Sequence, residues 1–208
     1  VSTALLMQWH INWHNPLTYF FVLVQMHLYT GLFITAHDAM HGTVSPNRFI
    51  NNLVGYTSTM LYAVFWYPQL YTKHHLHHSH VHTSQDPDHH EGSFFAWYAR
   101  FIRNYLSIWQ IVAMAVIFNI IKLWIPQANL LLFWVAPALL STLQLFYFGT
   151  YQPHKGEHNN PYHARSQRRN HVLAFLSCYF FGYHYEHHDA PGVPWWRLWN
   201  SPQPPKGE

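Results

Sequence analysis

The sequence predicts an all-α integral membrane fold, a helical bundle with a histidine-rich dimetal site on its cytoplasmic side and short helices at the membrane interface. Three observations lead there. Half of the 208 residues are apolar, 19% are aromatic and only 9% are charged, where an ordinary soluble domain carries about 25% charged residues. Three apolar runs reach the length of about 20 residues needed to cross ~30 Å of hydrocarbon. The chain also holds 20 histidines, which asks first for a metal explanation. The mean hydropathy of -0.13 understates the membrane character, because His, Trp and Tyr score as polar yet suit bilayer interfaces and buried sites.

In chain order, residues 1–16 end in the aromatic and polar WHINWHNP. The opening VSTALLM reads like the tail of another apolar helix, so the N-terminal helix is expected to be truncated, and no signal peptide is visible. The first span is 17–36, with Gln25 and His27 as its only strongly polar members. Residues 49–68 contain Asn51, Asn52, Gly55 and Pro68 and suit an interfacial or re-entrant helix. The second and third spans are 106–125 and 130–150, joined by the short break PQAN, a tight helical hairpin. Residues 171–183 are too short to cross and are read as interfacial. The whole chain, 1–208, is expected to be a single domain with a loose C-terminal tail, SPQPPKGE.

Composition also excludes. The aromatic content rules out disorder. One cysteine, Cys178, rules out a disulfide scaffold or a zinc site built on cysteine pairs. The net charge is only +3, and the basic residues are not interleaved on one face as a nucleic-acid binder needs. All eight acidic residues, and every Lys or Arg except Lys122, lie in the segment just after His37, within 70–105, or after Tyr151. By the positive-inside rule that side is cytoplasmic.

The histidines then gather on that one side. His37 and His41 are i and i+4 at the end of the first span, about 6 Å apart along one helical face. His74, His77 and His78 give i, i+3, i+4, and His184, His187 and His188 repeat the pattern. His154, ending the third span, could complete one coordination sphere. Eight or nine imidazoles exceed what one metal can use and suit two. Nitrogen ligation fits Zn, Cu, Fe and Ni alike; a dual site at a membrane face favours redox iron over structural zinc. His75 could in principle replace His74, but His74 keeps the HxxHH spacing. His90, in DPDHH, is undecided. His10, His14, His27, His80, His82, His158, His163 and His171 are read as surface or interface groups. Ligating histidines usually give their other N–H to a carboxylate or carbonyl, and Asp38, Asp88 and Glu186, with Asp86, are the carboxylates available for that.

At these residues the sequence resembles the integral-membrane fatty-acid desaturase and hydroxylase superfamily, whose signature is three histidine boxes, and within it the β-carotene ketolases of the CrtW type. The matching strings are LYTGLFITAHDAMHG at 28–42, KHHLHH at 73–78, DPDHH at 86–90, FFAWY at 94–98, LQLFYFGTYQPH at 143–154 and FGYHYEHHDAPGVPWWRL at 181–198. The resemblance implies two iron ions, O2 as co-substrate and oxidation of carbon 4 of a β-ionone ring to a ketone. β-Carotene would give echinenone and canthaxanthin, by two hydroxylations at one carbon and loss of water. The membrane-dissolved carotenoid would lie in an apolar groove, for which Phe94, Phe95, Trp97, Tyr98, Phe146, Tyr147, Tyr183 and Tyr185 are candidates. No nucleotide fingerprint is present, so electrons must come from a separate carrier such as a ferredoxin, for which Arg100, Arg103, Arg165, Arg168 and Arg169 offer a basic docking face. The rival readings are a carotenoid 3-hydroxylase, a fatty-acid desaturase or hydroxylase, a zinc hydrolase, and a non-catalytic membrane metal-binding or haem protein.

Overall fold

The computed structural model describes residues 1–168 and 170–202. Among them every regular element is a helix: α1 Ser2–Leu6, α2 Pro16–Met40, α3 Arg48–Ala63, α4 Tyr67–Ser79, α5 Phe94–Tyr105, α6 Ile108–Ile121, α7 Gln127–His154, α8 His171–Cys178, α9 His184–Asp189 and a 3-10 turn Trp195–Asn200. The start of α2 is fixed by its sequence. The Asn15 side chain accepts the Leu17 N–H and Pro16 supplies the first turn, a favoured cap and a favoured first residue. The helix runs on through Met40, so His37 lies in its last turn, with His41 as its cap. Gly42 then turns the chain away at φ 72°, a left-handed conformation open to glycine at no steric cost.

Two helices, α2 and α7, are long and apolar enough to cross a membrane, while α5 and α6 reach that length only as a pair bent by 82°. Only about a third of the most apolar stretch of α2 is buried inside the protein. Leu17, Phe20, Leu23 and Leu28 of α2, and Leu131, Leu139 and Leu143 of α7, stand exposed. Helices apolar on their outer as well as their inner faces need lipid to cover them, and the chain is read as an integral membrane protein.

The apolar stretch 106–125 forms the 14-residue α6, about 21 Å long. The stretch 49–68 is divided: α3 ends at Ala63, where Val64 adopts a left-handed φ of 56°, and the chain reverses so that Tyr67 and Pro68 begin α4. Helix α2 packs chiefly on α3 and α7, through a core that includes Tyr29, Ile34, Tyr62, Leu145 and Phe181. A hydrogen-bonded chain crosses this core. Thr30 Oγ1 lies 2.9 Å from Ser141 Oγ and donates to Gln144 Oε1 at 2.6 Å, and Tyr62 Oη lies within 3.2 Å of both Ser141 and Thr142. Unpairing a buried group costs about 1–3 kcal/mol, so this chain fixes the register of α2, α3 and α7 and with it the relative placement of their ends.

Candidate metal centre

Four helix segments meet below that core. The end of α2 brings His37 and His41, α4 brings His74, His77 and His78, the last turn of α7 brings His154, and α9 brings His184, His187 and His188. They form two groups, in each of which one ring nitrogen per histidine lies within 4.8 Å of the others: His37, His41, His74, His78 and His187 in one, and His77, His154, His184 and His188 in the other. The HxxHH patterns are split between them. His74 and His78 go to the first group and His77 to the second; His187 goes to the first, and His184 and His188 to the second. The two groups touch where the rings of His78 and His188 stack at 4.2 Å.

Nitrogen–nitrogen spacings test whether a metal fits. His41–His74 is 2.6 Å, His78–His187 3.0 Å, His154–His184 2.9 Å, His184–His188 3.0 Å and His77–His188 3.2 Å, all between Nε2 atoms. With metal–nitrogen bonds of about 2.1 Å, adjacent donors stand roughly 3.0–3.4 Å apart. Both ring nitrogens of His37, and Nδ1 of His184 and His188, are buried without a hydrogen-bond partner. Such orphaned polar atoms are costly, and His37, unpartnered at both ring nitrogens, has one to offer a metal. Nine imidazoles and no thiolate suit a nitrogen-preferring transition metal, and the residues fit two ions.

Protonation agrees with this. Burial first, then neighbouring imidazoles, holds His74, His184, His187 and His188 well below the ordinary imidazole range. The same causes bring His41 down to about 4 and His78 to about 2. A neutral ring is the form that ligates. His77 differs: burial alone would lower it, but Asp88 and Asp86 raise it.

The outer partners are specific. His77 Nδ1–H donates to Asp86 Oδ1 at 2.9 Å, and His154 Nδ1–H donates to the His163 carbonyl at 2.8 Å. Asp86 also accepts the backbone N–H groups of His82 and Asp88. Helix α5 pins that loop: Trp97 Nε1 donates to the Asp88 carbonyl and Asn104 Nδ2 to the Pro87 carbonyl, both at 2.6 Å, and the Tyr105 hydroxyl donates to the Asp88 carboxylate. Asp88 stays 4.0 Å from His77 Nδ1. Asp38 accepts the Trp195 N–H at 3.2 Å and stands 3.8 Å from His37 Nδ1. Glu186 is buried and accepts from Ser166 Oγ. His75 stacks on Tyr71 at 4.1 Å; neither it nor His90 belongs to either group.

A cavity of about 320 Å³ reaches both groups, touching His37 and His74 of one and His77 and His184 of the other. Its remaining wall is mostly apolar, with Phe33, Phe65, Phe101, Met114 and Leu139 among the lining. None of the eight aromatic residues expected along a substrate groove lines it. Phe94, Trp97, Tyr98 and Tyr147 pack around or beside Phe146, and Phe95 is exposed. Tyr183 is buried against His171 and Tyr185 packs on Tyr162. Proximity to a histidine box in sequence does not tell which face of a helix a ring takes. Helical spacing carried a better signal: Phe33 is one turn before His37, and Phe101 and Tyr105 are one turn apart on α5.

A membrane helical bundle with two all-histidine groups that could each hold a metal ion, at the end of an apolar cavity, defines the class. The chain belongs to the fatty acid desaturase family, whose model matches residues 11–122 and 93–199. Among relatives, it is 44% identical over 184 residues to a "Beta-carotene ketolase" of Haematococcus lacustris, covering 82% of this chain and 58% of that protein. It is 43% identical over 181 residues to a "Zeaxanthin 4-ketolase" of Chlamydomonas reinhardtii, covering 82% of this chain and 41% of the relative. A "Beta-carotene ketolase" of a Paracoccus species is 42% identical over 177 residues, covering 82% and 73%. The chain thus spans a little over half the length of the Haematococcus relative. No solved structure matches.

Proposed function

We propose that this chain is a carotenoid 4-ketolase, converting β-carotene to echinenone and canthaxanthin at carbon 4 of the β-ionone ring. The observation that carries the reading is the apolar cavity ending on both histidine groups, together with the similarity to proteins named ketolases. His37, His41, His74, His78 and His187 hold one iron, and His77, His154, His184 and His188 the other. Bound there, the irons supply O2 activation, with electrons from a separate protein such as a ferredoxin.

The protein's own residues bind, orient and exclude water. The walls at Phe33, Phe65, Phe101 and Met114 take the ring and the first part of the polyene, while the rest of that apolar rod stays in lipid. Carbon 4 is an allylic methylene; it is hydroxylated twice, and the geminal diol loses water to give the ketone. Asp86 fixes His77, the His163 carbonyl fixes His154, and Asp88 supports the same loop from Tyr105. Asp38 and Glu186 hold the segments that carry the C-terminal histidines. The centre faces the cytoplasm, by the charge distribution. Arg100, Arg103 and Arg168 are exposed there for a donor to approach, whereas Arg165 donates to the Gln152 carbonyl; Arg169 lies outside the described residues.

Expression in cells that make β-carotene, followed by pigment mass spectrometry, tests this. A ketone gains one oxygen and loses two hydrogens per ring. A product that only gains oxygen indicates a 3-hydroxylase or other hydroxylase, and an unchanged pigment pool removes the carotenoid reading.

A further inference from the structure

Four residues that line the cavity carry a hydroxyl: Tyr62, Tyr105, Thr142 and Thr150. Three of these hydroxyls are engaged within the protein. Tyr62 bonds to Ser141 and Thr142, Tyr105 donates to Asp88, and Thr142 donates to the Ala138 carbonyl. Thr150 is buried, and among the described residues its hydroxyl has no hydrogen-bond partner. Other helical threonines behave differently. Thr30, Thr35, Thr59 and Thr142 each donate to the carbonyl four residues back, the local bond that a helix offers a threonine. Thr150 lies in the π-helical turn Tyr147–Tyr151 of α7, where the backbone ring is one residue wider, and its hydroxyl is left to the cavity.

The position of that hydroxyl is specific. Thr150 is one turn before His154, and its neighbour Gly149 lies against the Phe181 ring, which packs 4.7 Å from His37 and 5.5 Å from His184. The open hydroxyl thus stands at the histidine end of a mostly apolar space. A buried hydroxyl without a partner is costly, and β-carotene brings it only carbon and hydrogen. One oxidation changes this. A C4–H bond gives way to C4–OH with one oxygen atom of O2, and the other atom is reduced to water by two electrons from the carrier protein and two protons. A second such step at the same carbon gives the geminal diol, which loses water with no change of oxidation state. Between the two steps the ring either leaves as an alcohol or stays.

We infer that Thr150 Oγ1 hydrogen-bonds the hydroxyl on carbon 4 of the half-oxidised ring and so holds the alcohol in place for its second oxidation. This rests on the 4-ketolase reading and names the residue that makes the site release a ketone rather than an alcohol. It is tested on the full chain in membranes, fed β-carotene or 4-hydroxy-β-carotene, with released pigments separated by mass. Thr150→Val keeps the shape and removes the hydroxyl. It is expected to raise the ratio of released alcohol to ketone about three- to tenfold, the effect of one neutral hydrogen bond. KM for the 4-alcohol should rise by a similar factor, and KM for β-carotene should not. Thr150→Ala is expected to shift the ratio the same way, and Thr150→Ser, which keeps the hydroxyl, to restore it. The readout is a ratio, so a smaller yield of folded protein leaves it unchanged. A parent-like ratio in Thr150→Val and Thr150→Ala, a KM that rises equally for both pigments, or a Thr150→Ser that behaves as Thr150→Val overturns the inference. A parent that forms no ketone from either pigment instead overturns the ketolase reading itself.

Discussion

Asp86 is the carboxylate on which the four-histidine group turns. It is buried, and its two oxygens accept three N–H groups: His77 Nδ1 at 2.9 Å, the Asp88 backbone at 2.8 Å and the His82 backbone at 3.0 Å. Asp86→Ala removes all three acceptors, frees the His77 ring to turn and lets it take either tautomer. Loss of such a partner typically lowers metal affinity about 10–100-fold, or roughly 1.4–2.7 kcal/mol. Asp86→Asn keeps one acceptor oxygen, which can still serve the two donors on the Oδ1 side, so it is expected near the lower end of that range and Asp86→Ala near the upper. The five-histidine group has no contact with Asp86, so the loss should fall on one ion of two. Competition with a graded series of chelators, read as metal per protein, measures this. Two ions weakened equally, or Asp86→Ala binding both as the parent does, would show that Asp86 does not align His77.

The same geometry makes other residues testable. His37→Ala, His78→Ala and His188→Ala should each abolish ketone formation while the protein remains inserted, since ligand loss exceeds the about 10–100-fold cost of losing an outer partner; pigment analysis with a membrane-fraction blot reads both, and retained activity in any one contradicts its ligand role. Gly149→Ala would drive its Cβ into the Phe181 ring, well inside van der Waals contact, and that ring itself packs 4.7 Å from His37; overpacking of about 1–3 kcal/mol should lower both melting temperature and metal occupancy, and an added Phe181→Leu should restore them. Metal-free protein should lose stability as pH falls. His41, His74, His78, His184, His187 and His188 have folded values below the unfolded value of about 6.5, so the unfolded chain binds more protons through the window from about 6.5 down to about 4. His77 is shifted the other way and offsets one of the six. Thermal melting near pH 7.5 and near pH 5.5 checks the sign, and metal-loaded protein should hold out to lower pH, because protons must then displace the ion.

The part of the site that the sequence displayed is the part a single helix can encode. Ligands on one helix must share a face, so HxxxH and HxxHH show in the primary structure whatever the tertiary fold. The division of labour inside each box was not legible, because whether His77 joins His74 or leaves it depends on where α7 and α9 end. Helix α7 shows why. It contains two π-helical turns, Leu131–Val135 and Tyr147–Tyr151, each adding a residue to a turn and so rotating the rest of the helix by roughly 100°. His154 reaches the four-histidine group only after both, and no apolar periodicity marks them. The cavity wall was hidden for a similar reason: aromatic residues abound near the boxes, and Trp97 and Phe101, one turn apart on one face of α5, divide by depth along the helix, Phe101 lining the cavity and Trp97 donating to the Asp88 carbonyl.

Helix α5 also ties the cavity to the carboxylates beside His77. Helix α5 presents Phe101 and Tyr105 to the cavity and, through Trp97, Asn104 and Tyr105, clamps the loop carrying Asp86 and Asp88. The two histidine groups are therefore unequal. The four-histidine group has a carboxylate bound to one of its rings and a second 4.0 Å away. In the five-histidine group, the nearest carboxylate to His37 is Asp38, which is engaged by the Trp195 backbone. A carboxylate on the far nitrogen makes an imidazole a stronger donor. The same helix thus shapes the apolar space and holds the loop whose Asp86 orients His77, so that substitutions on α5 should disturb both the cavity and the four-histidine group.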